Sequence, residues 1–92
     1  METSKSTGKL RKPRRRRLYV YLMDDNHNSI EFVIKVLMTI CHHNVYQAEQ
    51  CAMITHMNGR SLIYSGLGED PIIVFEQLLK HGITVELKSK KV

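Results

Sequence analysis

The chain has 92 residues, which is enough for one domain with a modest hydrophobic core. Its composition, with 42% hydrophobic and 25% charged residues, is typical of a folded protein. No run of the sequence approaches the roughly 18 consecutive apolar residues of a membrane span, and residues 1–17 lack the apolar stretch of a secretory signal. Two cysteines do not make a disulfide framework, so we expect a cytoplasmic protein with free thiols.

The positive charge is concentrated at the N-terminus. Residues 1–17 contain eight Lys or Arg and a single acid, which gives +7, whereas residues 18–92 carry a net −2. Few side chains of this first segment can be buried, and Gly8 and Pro13 interrupt any helix. The sequence therefore predicts a disordered basic extension over 1–17, a folded domain over 18–88 and a short tail over 89–92.

The first half of the predicted domain begins with a strand and continues with two helices. Apolar residues alternate over 18–22, which is the period of a half-buried strand. Asn28 and Asn44 each precede apolar residues at helical spacing, and Glu31 and Gln47 stand three positions after them. This is the pattern of a capping box, so each asparagine is predicted to start a helix.

The second half of the domain is predicted as strand, helix and strand. The segments 62–65 and 83–87 have strand patterns, and Asp70-Pro71 predicts the start of a helix that Gly82 ends. The resulting order, β-α-α-β-α-β, favours an α+β fold in which three helices pack on one face of a small three-stranded sheet. A right-handed crossover makes the last two strands parallel, and the first strand fits between them, antiparallel to both.

Two separated motifs of this sequence are similar to those of a known family. Residues 22–33, LMDDNHNSIEFV, resemble the signature of the ClpS adaptors, in which a strand ends in an Asn-Asp-Asp-type turn before a Thr-Pro-Met-Glu-Phe-Val helix start. Residues 48–59 resemble the family's helix that ends in His-x-x-Gly, and residues 82–87 resemble its last strand. The resemblance covers about residues 18–88 and leaves out the basic extension.

The resemblance implies an adaptor that performs no chemistry and needs no cofactor. Proteins of this family bind N-degrons, that is, a free α-amino group together with a large hydrophobic first side chain. They then dock on the N-terminal domain of a Clp-type AAA+ unfoldase and so deliver the substrate to the unfoldase and its protease. For this chain it implies substrates that begin with Phe, Leu, Tyr or Trp, and no membrane partner.

The resemblance also implies a set of binding residues. Those matching the positions that bind the α-amino group are Asp24, Asp25, Asn26 and His56. Those matching the hydrophobic pocket are Ile30, Val33, Ala52, Thr55 and Ile83. Asp24 replaces the usual Asn and Asn26 stands where an acid is common, so either Asp24 or Asp25 is a candidate for the contact with the ammonium group.

A nucleic-acid-binding module is the alternative hypothesis, because residues 11–17 form a dense basic cluster. The extension contains no aromatic residue on which a base could stack, and the body of the chain is slightly acidic. We therefore do not expect nucleic acid to be the main partner.

Metal binding and catalysis are not expected either. Cys41, His42, His43, Cys51 and His56 lack the paired spacing of a structural zinc site. The carboxylates of the turn and the histidine are not accompanied by a nucleophile, and the glycines at 66 and 68 are too few for a phosphate-binding loop.

Overall fold

The computed structural model describes residues 16–90, so most of the predicted basic extension and residues 91 and 92 lie outside it. The described chain forms β1 (Arg17–Met23), α1 (Ile30–Ile40), α2 (Val45–Asn58), β2 (Arg60–Leu67), α3 (Asp70–Lys80) and β3 (Val85–Lys90). The predicted order of elements is confirmed. No helix in this part of the chain is both long enough and apolar enough to cross a membrane.

The three strands form one antiparallel sheet in the order β2-β1-β3, with β1 in the centre. Val20 and Leu22 of β1 are buried, whereas the residues between them, Tyr19 and Tyr21, are half-buried. This alternation shows that one face of the sheet is covered by the helices, because successive side chains of a strand point to opposite faces. The predicted three-stranded sheet with helices on one face is therefore confirmed.

The pairing of β1 with β2 shifts by one residue in the middle of the sheet. Val20 lies opposite Tyr64, whereas Tyr21 lies opposite Leu62. Ile63 is therefore the additional residue of a β-bulge. Both Ile63 and Tyr64 pack against the core, so the bulge turns two consecutive side chains of β2 toward the helices.

The core lies between the covered face of the sheet and the three helices. Leu37 of α1 and Leu78 of α3 are completely buried there, and each stabilises the fold by roughly 1.5–3 kcal/mol through burial alone. Cys41 and Cys51 are both free thiols at the edge of this core. Burial raises the pKa of Cys41 to about 12 and also raises that of Cys51, so both thiols stay protonated at neutral pH.

The helix boundaries confirm one predicted capping box and correct two other caps. Asn44 and Gln47 form the reciprocal pair at the start of α2, and Gly59 ends that helix at a φ of 95°. The cap of α1, however, is Ser29 and not Asn28, because the Ser29 Oγ accepts from the N–H of Phe32. At α3 the cap is residue 69, and the predicted cap, residue 70, is already helical.

β2 extends beyond its predicted limits at both ends, whereas β3 begins at Val85, two residues later than predicted, and ends later than predicted. β2 runs over Arg60–Leu67 and β3 continues to Lys90 because each pairs with β1 along its whole length. Residues 89 and 90 are thus strand residues, although the sequence assigns them to the tail.

Candidate functional site

A pocket opens where β1 ends, between the β1–α1 turn and the second half of α2. It encloses about 410 Å³, including the solvent at its mouth. Its lining residues are Leu22, Met23, Asp24, Asp25, Asn28, Ile30, Val33, Ala52, Thr55 and His56. Carboxylates and a histidine thus lie beside aliphatic side chains, and this mixture is typical of a site that orients a ligand by a few polar groups.

The carboxylate of Asp25 organises the turn. Its Oδ1 accepts from the backbone N–H groups of His27, at 3.2 Å, and Asn28, at 3.1 Å. Its Oδ2 accepts from the Asn28 side chain at 3.0 Å and from the Thr84 hydroxyl at 2.7 Å. The same Asn28 amide donates to the carbonyl of Gly82 at 2.9 Å. Asp25 and Asn28 therefore fasten the turn to the segment that leads into β3.

These contacts also fix the charge of Asp25. Partial burial by itself raises the pKa of Asp25. The hydrogen bonds from Thr84, Asn28 and the backbone of His27 lower it by more, so the pKa falls from an ordinary 3.8 to about 2. The side chain is 13% exposed. Asp25 is therefore ionised at neutral pH, and its oxygens already accept hydrogen bonds from donors within the protein.

Asp24 and His56 differ from Asp25 in being exposed at the mouth of the pocket. The backbone N–H of Asp24 donates to the carbonyl of Gly59 at 2.9 Å, which holds the end of β1 against the end of α2. His56 lies in the last turn of α2, three residues before Gly59. Among residues 16–90 the Asp24 carboxylate and the His56 ring have no hydrogen-bond or ion-pair partner, so both can accept from a ligand.

The inner part of the pocket is apolar. Ala52 and Thr55 of α2 are buried, Val33 of α1 is half-buried, and Ile30 is 50% exposed at the rim. The Thr55 hydroxyl is already bonded to the carbonyl of Cys51, at 2.8 Å, and to a serine hydroxyl of β2 at 2.7 Å. Its methyl group is therefore what Thr55 offers to a ligand.

The structure brings most of the predicted site residues together but not all of them. Asn26 is exposed in the turn and does not line the pocket. Ile83 is 3% exposed and belongs to the hydrophobic core, where its N–H caps the end of α3 by donating to Leu78. Neither residue is part of the pocket lining.

Asn28 and Thr84 are the residues of the candidate site's hydrogen-bond network that sequence reasoning missed. Asn28 was assigned to a helix cap, and Thr84 was one polar residue in an alternating strand. Asp25 is itself a local signal for an Asx-type turn, in which its side chain accepts from the backbone N–H two residues on, but this signal does not predict the bond to the Asn28 side chain. The hydrogen bond from Thr84 to Asp25 joins residues 59 positions apart, so no local sequence pattern predicts it.

The other histidines and cysteines do not form a second site. Within residues 16–90 no three or more of His, Cys, Asp and Glu are placed to hold a metal ion. His43 is buried, and its Nε2 lies 2.9 Å from the carbonyl of Ile63, which ties the α1–α2 connection to the sheet. This histidine has a structural contact, and His42 beside it is exposed.

The fold and the pocket define a small binding domain. The sequence profile of one family, described as ATP-dependent Clp protease adaptor protein ClpS, matches residues 13–82, which is most of the chain. The chain therefore belongs to the ClpS family of adaptor proteins. Membership confirms the resemblance that the two motifs indicated.

A solved structure agrees with this assignment at the level of the fold. The chain is similar to ClpS2 of Agrobacterium tumefaciens, in a structure bound to L-phenylalaninamide, with a TM-score of 0.70 and 16% sequence identity. The match covers 84% of this chain and 100% of the other. No curated protein matches the sequence.

Proposed function

We propose that this protein is an N-degron adaptor, which binds the free α-amino group and the large hydrophobic first residue of a substrate. The observation that carries the proposal is the pairing of two unoccupied acceptors, Asp24 and His56, with an apolar pocket directly beside them. An N-terminal residue has the matching chemistry, because its ammonium group and its side chain leave the same carbon atom. Membership of the ClpS family supports the same role.

Asp24 is the proposed direct partner of the ammonium group. The oxygens of Asp25 already accept four hydrogen bonds from the turn and from Thr84. The Asp24 carboxylate is exposed, and a charge-assisted hydrogen bond to it contributes about 1.5–3 kcal/mol. A neutral ring nitrogen of His56 accepts a second N–H of the ammonium group. Asp25 then supplies negative charge from behind and keeps the turn in place.

The first side chain of the substrate is proposed to enter the apolar part of the pocket. Burial of a Leu or Phe against Val33, Ala52 and the Thr55 methyl contributes roughly 1.5–3 kcal/mol. Together with the ammonium bonds, and after the entropic cost of association, this gives a dissociation constant on the order of micromolar. We propose that the small Ala52 widens the pocket and that Phe, Leu, Tyr and Trp are the preferred first residues.

Delivery to a protease is the second half of the proposed function. We propose that the domain docks on the N-terminal domain of a Clp-type AAA+ unfoldase in the cytoplasm and performs no catalysis itself. The support for this step is family membership. We propose that the basic extension takes part in delivery, and the support for this role is likewise family membership.

Fluorescence anisotropy with a labelled peptide that begins with a free Phe tests the proposal. The full chain should bind this peptide, and it should fail to bind the same peptide after N-acetylation, because the acetyl group removes the charge and two of the three donors. A peptide of identical sequence that begins with Gly is the control for the side-chain pocket. Equal binding of the free and acetylated peptides, or no binding of either, would contradict the proposal.

A further inference from the structure

The side chain of Asn28 lines the pocket from the β1–α1 turn and is partly exposed there. Its Nδ2 carries two hydrogens, and both are donated within the protein. One goes to the Oδ2 of Asp25 at 3.0 Å, and the other goes to the carbonyl of Gly82 at 2.9 Å. The amide nitrogen of Asn28 therefore has no donor left for a ligand.

These two bonds also fix which way the amide of Asn28 points. The Asp25 carboxylate and the Gly82 carbonyl can only accept hydrogen bonds. Rotation of the amide by 180° would place its oxygen against both of these acceptors, which is unfavourable. The nitrogen is thus held toward Asp25 and Gly82, and Oδ1 is the polar atom of Asn28 that is left to face the pocket.

The Oδ1 of Asn28 is both unoccupied and accessible. Within residues 16–90 it accepts no hydrogen bond. Among the buried side-chain nitrogen and oxygen atoms of this part of the chain, only the Nδ1 of His43 lacks a partner, so the Asn28 oxygen is not sealed in the interior. Because the nitrogen already holds the amide in place, little side-chain freedom is lost when a ligand donates to the oxygen.

An α-ammonium group has three N–H donors, and Asp24 and His56 account for two of them. We propose that the Oδ1 of Asn28 accepts the third, so that the pocket selects a primary α-ammonium over a secondary one. This inference rests on the proposed function as an N-degron adaptor. A water molecule in the place of Asn28 would satisfy the third N–H without any such selection.

Methylation of the substrate's amine separates these two arrangements. A peptide that begins with N-methyl-Phe keeps its positive charge and its first side chain, but it has only two N–H donors. If Asp24 and His56 are the only acceptors, the methyl group takes the third direction and no hydrogen bond to the protein is lost. With Asn28 as the third acceptor, a methyl group in any of the three directions removes one bond from a charged donor.

The test compares two peptides of identical sequence that begin with Phe or with N-methyl-Phe, by fluorescence anisotropy with the full chain. We expect N-methylation to weaken binding by about ten-fold or more, as for the loss of a hydrogen bond from a charged group. Asn28→Ala should reduce this ratio of dissociation constants to about two- or three-fold, because the third acceptor is then absent. Loss of the bonds to Asp25 and Gly82 loosens the turn for both peptides and leaves their ratio unchanged.

Asn58→Ala is the matched control, because Asn58 is exposed at the end of α2 and does not line the pocket. It should keep the wild-type ratio. Asn28→Ser serves if Asn28→Ala does not fold, since its hydroxyl keeps one donor for the turn and is one bond shorter than the amide.

Two results would overturn the role of Asn28 and leave the adaptor function intact. One is equal binding of the two peptides by the wild type. The other is a methylation ratio that substitution of Asn28 does not change, which would assign the selection to steric exclusion of the methyl group. Failure of the wild type to bind the unmethylated Phe peptide would instead contradict the proposed function, and the role of Asn28 with it.

Discussion

The two faces of the sheet differ in chemistry although they alternate along the same strands. On the covered face, Val20 and Leu22 are buried under the helices, and the pocket begins where this apolar row ends. The opposite face of the sheet, which carries Tyr19 and Tyr21 and which we call the open sheet face, lies outside the core cluster, and the Arg60 guanidinium lies over the Tyr21 ring. Neighbouring residues of β1 therefore have different surroundings, because one packs in the core and the next lies on the open sheet face.

The two faces are expected to differ in how a substitution affects the stability of the fold. The pocket shares its walls with the hydrophobic core, since Leu22 and Ala52 are both buried and both line it. Substitutions there affect stability and ligand binding together. Tyr19 and Tyr21 of the open sheet face lie outside the core cluster, so we expect their exchange to affect the fold less. Variants at neighbouring positions of β1 can test this contrast directly.

The largest expected effect comes from Leu22→Ala compared with Tyr21→Leu. Leu22 is 3% exposed, and its truncation should lower the free energy of unfolding by about 2–5 kcal/mol. Tyr21→Leu, one residue earlier, should change it by less than about 1 kcal/mol because the ring is outside the core. Urea unfolding followed by circular dichroism measures both. Similar losses for the two variants would show that the open sheet face is part of the packing.

The next largest effect is expected for Asp24→Ala. Loss of one charge-assisted hydrogen bond should weaken binding of a peptide with a free N-terminal Phe by roughly ten- to one-hundred-fold. Glu49→Ala, which removes an exposed acid from α2, is the control for net charge. An unchanged peptide affinity would remove Asp24 from the site.

The elements that the sequence predicted well are those with local signals. The capping box of Asn44 with Gln47 and the left-handed Gly59 are determined within a few residues, so their sequence pattern was sufficient. The pocket positions on α2, Ala52 and His56, followed from the motif because a regular helix fixes their spacing. Most of the residues that line the pocket were therefore among those named from the sequence.

The features that were missed depend on contacts between distant segments. Asn28 and Ser29 can both cap a helix, and Asn28 instead bonds to Asp25 and to the carbonyl of Gly82. Ile83 was assigned to the pocket, but its position after the turn of Gly82 places it in the core. The local sequence is compatible with either residue as the helix cap and with either position of Ile83. Contacts between distant segments determine which of them forms.

Asp25→Asn should have a moderate effect that depends on pH. Because folding lowers the pKa of Asp25 from 3.8 to about 2, its charge stabilises the fold above pH 4, and this stabilisation is lost as the pH falls through 2. At neutral pH the variant should lose roughly 1–2 kcal/mol, after allowance for solvent at the turn. Unfolding curves between pH 2 and 7 measure it. A difference that persists undiminished at pH 2 would show that the bonds, and not the charge, stabilise the turn.

The smallest expected effect is that of Ile30→Ala, which changes the shape of the pocket rim. Ile30 is already 50% exposed, so its remaining contact with a ligand is worth about 1 kcal/mol or less, and a Phe peptide should bind up to about five-fold more weakly. Peptides that begin with Val or Ile should lose less, because removal of a stiff β-branched side chain leaves space for another. Ile73→Ala, at a similarly exposed position on α3, is the control. An equal loss for all first residues would mean that Ile30 contributes contact area without selecting among them.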